Sequence, residues 1–177
     1  PDRRERLSGA AHVLVLGATG FIGGHIAGAL DMAGHRVTRT SRTGGGTELE
    51  CDLLDPPAIE AVLTREVPDA VVMAAGMSSV RSAWDDPPAA FAANTQGVFN
   101  LLEALSRSAP AAHLTMLSSA SVYGSPASLP VTEDSPTEPS SPYGASKLAD
   151  EMLCRQYARR HGAGVAVRRL FNQSGPG

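Results

Sequence analysis

Two side chains able to move a proton stand four residues apart in "SPYGASKLADE", the phenol of Tyr143 and the amine of Lys147. Four residues is about one helical turn, so with Tyr143 in the first turn of a helix both groups point at one spot. A free phenol ionises near ~10 and works as an acid or base at neutral pH only when its anion is stabilised, a service that the Lys147 charge can supply. A surface Tyr beside a solvated Lys would show the same spacing. The rest of the chain has to decide between the two readings.

The elements that would position such a pair are legible as alternating segments. Short apolar runs, "HVLVLGA", "HRVTRTS", "DAVVMAAG", "HLTMLSSAS" and "VAVRRLFN", are separated by helix-compatible stretches, "GFIGGHIAGALDMAG", "PPAAFAANTQGVFNLLEALSRSA" and "ASKLADEMLCRQYARRHG". Runs such as Val13 to Leu16 and Ala70 to Ala74 are apolar on both faces, as strands of a parallel sheet covered by helices on both sides must be. The pattern predicts an α/β, doubly wound parallel sheet of Rossmann-like type, with residues 1–10 as a tail and 11–177 as one dinucleotide-binding domain. The Pro/Ser-rich stretch from Ser125 to Pro142 reads as a long loop. Trp84 and Phe91 are expected in the core.

Composition narrows the function classes. The chain has 177 residues, 42% hydrophobic, with a net charge of −3 and no basic run longer than "RRER", which leaves a nucleic-acid backbone without an electrostatic footprint. The apolar run after that basic start is too short for a signal peptide or a membrane span. Cys51 and Cys154 lie far apart without His at ligand spacing, and His12, His25, His35, His113 and His161 show no such spacing either, so no metal and no disulfide framework is expected. A reducing cytoplasm fits.

The first strand runs into "GATGFIGG", with Gly17, Gly20 and Gly23 spaced G-x-x-G-x-x-G directly before a helix. Such glycines permit a tight turn, close approach to a pyrophosphate and close helix packing, and the helix N-terminus offers free N–H groups to the anion. Thr19, Phe21 and Ile22 are then placed to reach phosphate or ribose through their backbones. An acid about 20 residues on would grip the 2′-hydroxyl of NAD, yet none occurs between Asp31 and Glu48. Ser41 and Arg42 stand there instead and suit a 2′-phosphate, so NADP(H) is favoured, with NAD(H) possible. Ser78 and Ser79 either touch substrate or cap the next segment.

With these pieces the chain resembles, from about Ala11 to its end, the extended short-chain dehydrogenase/reductase family, and within it the nucleotide-sugar members of the epimerase/dehydratase type. The resemblance assigns Tyr143 and Lys147 to the Tyr-x-x-x-Lys pair, with Lys147 also on the nicotinamide ribose, and Ser119 of "SSASVYG" to the residue that hydrogen-bonds the substrate carbonyl. It places Asp52 of "CDLLD" at the adenine, with Leu53 beside it, and Ala74, Ala75, Gly76 and Asn94 beside the cofactor. Asn172 of "RLFNQSGPG" would lie near the substrate diphosphate. The family's smaller C-terminal substrate region is apparently missing.

Dehydratases of the family carry acidic residues after the Ser/Thr, where Ala120 and Ser121 stand here. Galactose-type epimerases carry an acid after the second strand. The resemblance is therefore closest to reductases of GDP-4-keto-6-deoxymannose or a related nucleotide sugar. An epimerase with bound NAD is the first alternative, and a dinucleotide-sensing protein without catalysis the second. The family also implies a homodimer through the helices around Phe91–Ser106 and Ala145–Arg160, where Ala145, Leu148, Ala149, Met152 and Leu153 form an apolar stripe.

Overall fold

The computed structural model describes Gly9 to Pro176, so most of the expected N-terminal tail lies outside the described residues. Six strands, β1 (His12–Leu16), β2 (Arg36–Ser41), β3 (Leu49–Glu50), β4 (Ala70–Met73), β5 (His113–Ser119) and β6 (Val165–Leu170), pair in parallel in the order β3-β2-β1-β4-β5-β6. The doubly wound Rossmann-like sheet expected from the alternating pattern is what forms. The order of the strands reverses at β1, successive strands being added on one side of it up to β3 and on the other from β4, which opens a crevice at the carboxyl ends of β1 and β4.

Why β1 sits centrally follows from its sequence, since all five of its residues are buried. Val13 and Val15, with Val72, pack on one face under α1 (Phe21–Met32), while Leu14 and Leu16, with Val71, Met73, Leu114 and Met116, fill the larger core on the other. There the sheet is covered by α2 (Pro56–Glu66), α5 (Gly97–Ser108) and α6 (Pro142–His161). The alternation by single residues is the period of a strand buried on both sides.

Three features depart from the sequence reading. Strand β3 and helix α2 were not anticipated, although Asp55 caps α2 by accepting from Ala58 N, Pro56 and Pro57 open it, and Ile59, Val62 and Leu63 recur at core spacing. The single helix expected from Pro87 onward is instead α4 (Pro87–Phe91), a π-turn at Ala92–Gln96 and α5, preceded by the short α3 (Val80–Asp85). Trp84 and Phe91 are not core residues, being 60% and 40% exposed. Both lie on short helices at the surface, where size and apolarity alone do not secure burial.

Candidate active site

At the end of β1 the chain turns through Gly17 with φ +81°, and a Cβ there would come within 2.7 Å of the Ala75 backbone. A Cβ on Gly23 would strike the Gly17 carbonyl. The first of these glycines therefore shapes the turn and brings it against the end of β4, and Gly23 lets α1 press on the turn without itself lining the groove. Gly20 caps α1 with no side-chain hydrogen bond, so the first-turn amides of Phe21 and Ile22 keep no competing side chain. A cradle of this kind fits a pyrophosphate.

Two cavities meet along Ala74 to Gly76. One, of about 750 Å³, is lined by Gly17, Thr19, Gly20, Ser41, Arg42, Asp52 and Leu53 among others. Arg39 pairs with Asp31, whereas Arg42 has no carboxylate partner among the described residues. Ser41 is buried at the strand end. Asp52 turns one oxygen inward, accepting from Leu54 N at 2.9 Å. Burial, with Asp52 and Asp55 nearby, pushes the Cys51 thiol up to about 11, so it stays protonated.

The second cavity, of about 300 Å³, brings together Phe21, Ile22, Ser78, Ser119, Tyr143, Lys147 and Asn172. Tyr143 lies in the first turn of α6, which Ser141 opens by accepting from Gly144 N at 3.1 Å with Pro142 at the first helical position. Ser119 ends β5, and its Oγ accepts from Ser121 N and donates to Ser121 Oγ, both at 3.1 Å. Lys147 is buried and pairs with Asp150 at 3.1 Å. The pair four residues apart thus shares one cavity with the serine.

Asn94 sits in the π-turn, a form often found at functional sites because its extra residue redirects a side chain. Its Oδ1 accepts from Met77 N at 2.8 Å, and its Nδ2 donates to Met77 O and to Ser146 Oγ. Gly76, at φ +128°, leaves room for it, since a Cβ would come within 2.5 Å of that Oδ1. Asn94 therefore holds the β4 loop against α6 as well as lining the cavity.

Some expected assignments are corrected. Ser79 is no contact of the cavity; its hydroxyl caps α3 by accepting from Ser82 N at 3.1 Å, the role open to a Ser before a helix. Ser118, one residue before Ser119 on β5, donates to Glu151 Oε1 at 2.6 Å. The sequence reading also missed a clamp: Arg169 of β6 reaches both oxygens of buried Glu151 at 2.9 and 2.8 Å and donates to the Tyr123 hydroxyl at 2.9 Å. A Glu inside "ADEML" and an Arg inside a strand were the available signals. Among the described residues no group of three or more metal-ligating side chains occurs, and no helix is long and apolar enough to cross a membrane.

A sequence profile described as the NAD-dependent epimerase/dehydratase family matches residues 13–177. The chain belongs to this family. Among its relatives, GDP-6-deoxy-D-mannose reductase of Pseudomonas aeruginosa is 36% identical over 93% of this chain and 53% of its own length. UDP-glucose 4-epimerase of Azospirillum brasilense is 34% identical over 97% and 51%. The solved structure of RMD from Pseudomonas aeruginosa complexed with NADPH overlays with a TM-score of 0.83 at 36% identity, covering 95% of this chain and 56% of that one. That of UDP-glucose 4-epimerase from Brucella ovis in complex with NAD overlays at 0.86 and 31%, covering 94% and 53%. The chain spans about half the length of these family members.

Proposed function

We propose that this chain, from Ala11 onward, is the dinucleotide-binding and proton-transferring part of an NADP(H)-dependent reductase of a nucleotide-activated 4-keto-6-deoxy sugar. The observation that carries the reading is the cavity shared by Ser119, Tyr143 and Lys147, opening beside the glycine turn. Gly17, Thr19, Gly20, Phe21 and Ile22 would receive the pyrophosphate, Ser41 and Arg42 a 2′-phosphate, Asp52 and Leu53 the adenine, and Ala74 to Gly76, Asn94 and Lys147 the nicotinamide half. The dinucleotide supplies a hydride when bound. As carbon is reduced, the Tyr143 hydroxyl gives its proton to the carbonyl oxygen, Lys147 stabilises the phenolate left behind, and the Ser119 hydroxyl donates to the same oxygen. Ser78 and Asn172 line the substrate side.

Ala120 and Ser121 after Ser119 leave water elimination without an acid. The second reading, an epimerase with bound NAD, is supported by relatives of that activity at nearly the same identity. NADPH consumption with a panel of nucleotide 4-keto sugars tests the first; interconversion of UDP-hexoses without net oxidation favours the second, and binding without either favours a sensing protein. Arg42→Ala should reduce any NADPH preference about 10- to 100-fold, the worth of a charged hydrogen bond to phosphate, read from parallel NADPH and NADH titrations. Tighter binding of NADH by the unaltered protein would remove the NADP(H) assignment.

Self-association belongs to the same proposal. Helix α6 buries its polar residues Ser146, Lys147, Asp150 and Glu151, while Ala145, Leu148 and Ala149 are only partly covered and Met152 is exposed. Phe91 and Phe99 are exposed as well. A homodimer would cover these groups, and Phe99→Asp should shift the mass of the intact protein in solution toward the monomer. A wild-type monomer at high concentration contradicts it.

A further inference from the structure

Of the three groups placed at the carbonyl, only Lys147 brings a charge that the core must tolerate. Its side chain is 7% exposed, its ammonium meets Asp150 Oδ2 at 3.1 Å, and Met116 Sδ lies 3.8 Å away. Asp150 is completely buried and does not line the cavity; it stands behind Lys147. Apart from that ion pair, neither of its oxygens has a hydrogen bond of ordinary geometry. Buried carboxylates seldom go so poorly served.

The neighbouring residue shows the contrast. Glu151 is equally buried, yet receives Arg169 on both oxygens, Arg155 and Ser118. The groups that act on Asp150 from its own helix are Lys147, Glu151 and Cys154, and from the π-turn the Thr95 hydroxyl. Only Lys147 among them is a cation. Burial pushes the Asp150 carboxyl above its ordinary range, Lys147 and Thr95 oppose this, and the Glu151 charge adds to it.

We propose that Asp150 is a positioning residue for Lys147, holding the ammonium in place at the back of the cavity where the phenol and the dinucleotide ribose would meet it. This rests on the reading of Tyr143 and Lys147 given above. One consequence concerns Lys147→Met, the obvious test of Lys147, which strands a buried carboxylate and so mixes a folding defect with a catalytic one.

The test is a double-mutant cycle in the intact protein: Lys147→Met, Asp150→Asn and both together, followed by thermal melting and by NADPH fluorescence titration. Lys147→Met should lower the melting temperature by roughly 10 °C, and adding Asp150→Asn should restore most of that without restoring NADPH affinity. Asp150→Asn alone should weaken NADPH binding several-fold, because the ammonium then lacks the carboxylate that holds it in place. Asp150→Leu, which fills the space without polarity, should do the same should the amide fail to fold. Additive melting shifts, or an Asp150→Asn protein that binds NADPH as tightly as the wild type, would overturn the proposal. Protein that binds NADPH but reduces no 4-keto sugar would instead remove the reductase reading and leave the cycle's outcome standing.

Discussion

Tyr143→Phe should lower turnover by about 10²–10⁴-fold, the range for loss of a positioned acid, while NADPH binding stays close to wild type. The ring sits in the first turn of α6 beside the cavity, and Phe preserves its packing. Only the hydroxyl is removed. Ser119→Ala should also act mainly on turnover, since Ser119 Oγ is the proposed donor to the carbonyl oxygen, although the variant gives up the bond from Ser121 N as well. Absorbance of NADPH with a nucleotide 4-keto-6-deoxyhexose reads both variants. Unchanged turnover in Tyr143→Phe would remove the phenol from the role of proton donor, and no turnover in the unaltered protein would return the chain to the dinucleotide-sensing alternative.

The largest stability effect is expected at Arg169. Its guanidinium binds both oxygens of Glu151, stacks 4.8 Å from the centre of the Tyr123 ring and donates to the Glu133 carbonyl, tying β6, α6, the end of β5 and the long loop together. Burial alone would raise the Glu151 carboxyl, but the hydrogen bonds of Arg169 and Ser118 and the charges of Arg169 and Arg155 outweigh it and hold the group below its ordinary value. Arg169→Met leaves that buried charge with fewer partners and should cost about 3–5 kcal/mol in denaturant unfolding at neutral pH. The sign of the pH dependence follows. With its folded value depressed, Glu151 contributes stability in full above the ordinary Glu range, and loses it as pH falls through the depressed value. The gap between variant and wild type should therefore narrow in acid, and a gap independent of pH would show that lost packing, not charge, is responsible.

Much of this architecture is readable from the chain because local and global signals agree. In β1 a run apolar on both faces leads straight into glycines whose spacing only a tight turn explains, and the structure realises both. Tyr143 and Lys147 were readable because a capping Ser and a Pro open their helix. Helix α6 hid the rest, since its buried face carries Lys147, Asp150 and Glu151 beside Cys154 and Tyr157, while Ala145, Leu148 and Ala149 are only partly covered and Met152 is exposed. Periodicity assigns apolar residues to the core and so could not expose the Glu151 clamp or the lone partner of Asp150. The π-turn at Asn94 was equally invisible, because one extra residue in a turn leaves no mark on composition. Strand β3, two residues long, is too short to produce a pattern at all.

The long Pro/Ser-rich loop has its two ends in one place. Gly124, at φ +61°, is packed so tightly on the Glu138 carbonyl that no side chain could stand there, and a Cβ on Gly144 would come within 2.5 Å of the Ser121 carbonyl and 3.0 Å of Pro139. Residues 125–137 therefore leave and rejoin the body at a single seam. Lengthening such a closed excursion costs little, since each doubling adds only about 0.6 kcal/mol of closure entropy. Apart from the Arg169 contact at the Glu133 carbonyl, the loop can therefore change in length while Ser119 and Tyr143, on either side of the join, keep their separation.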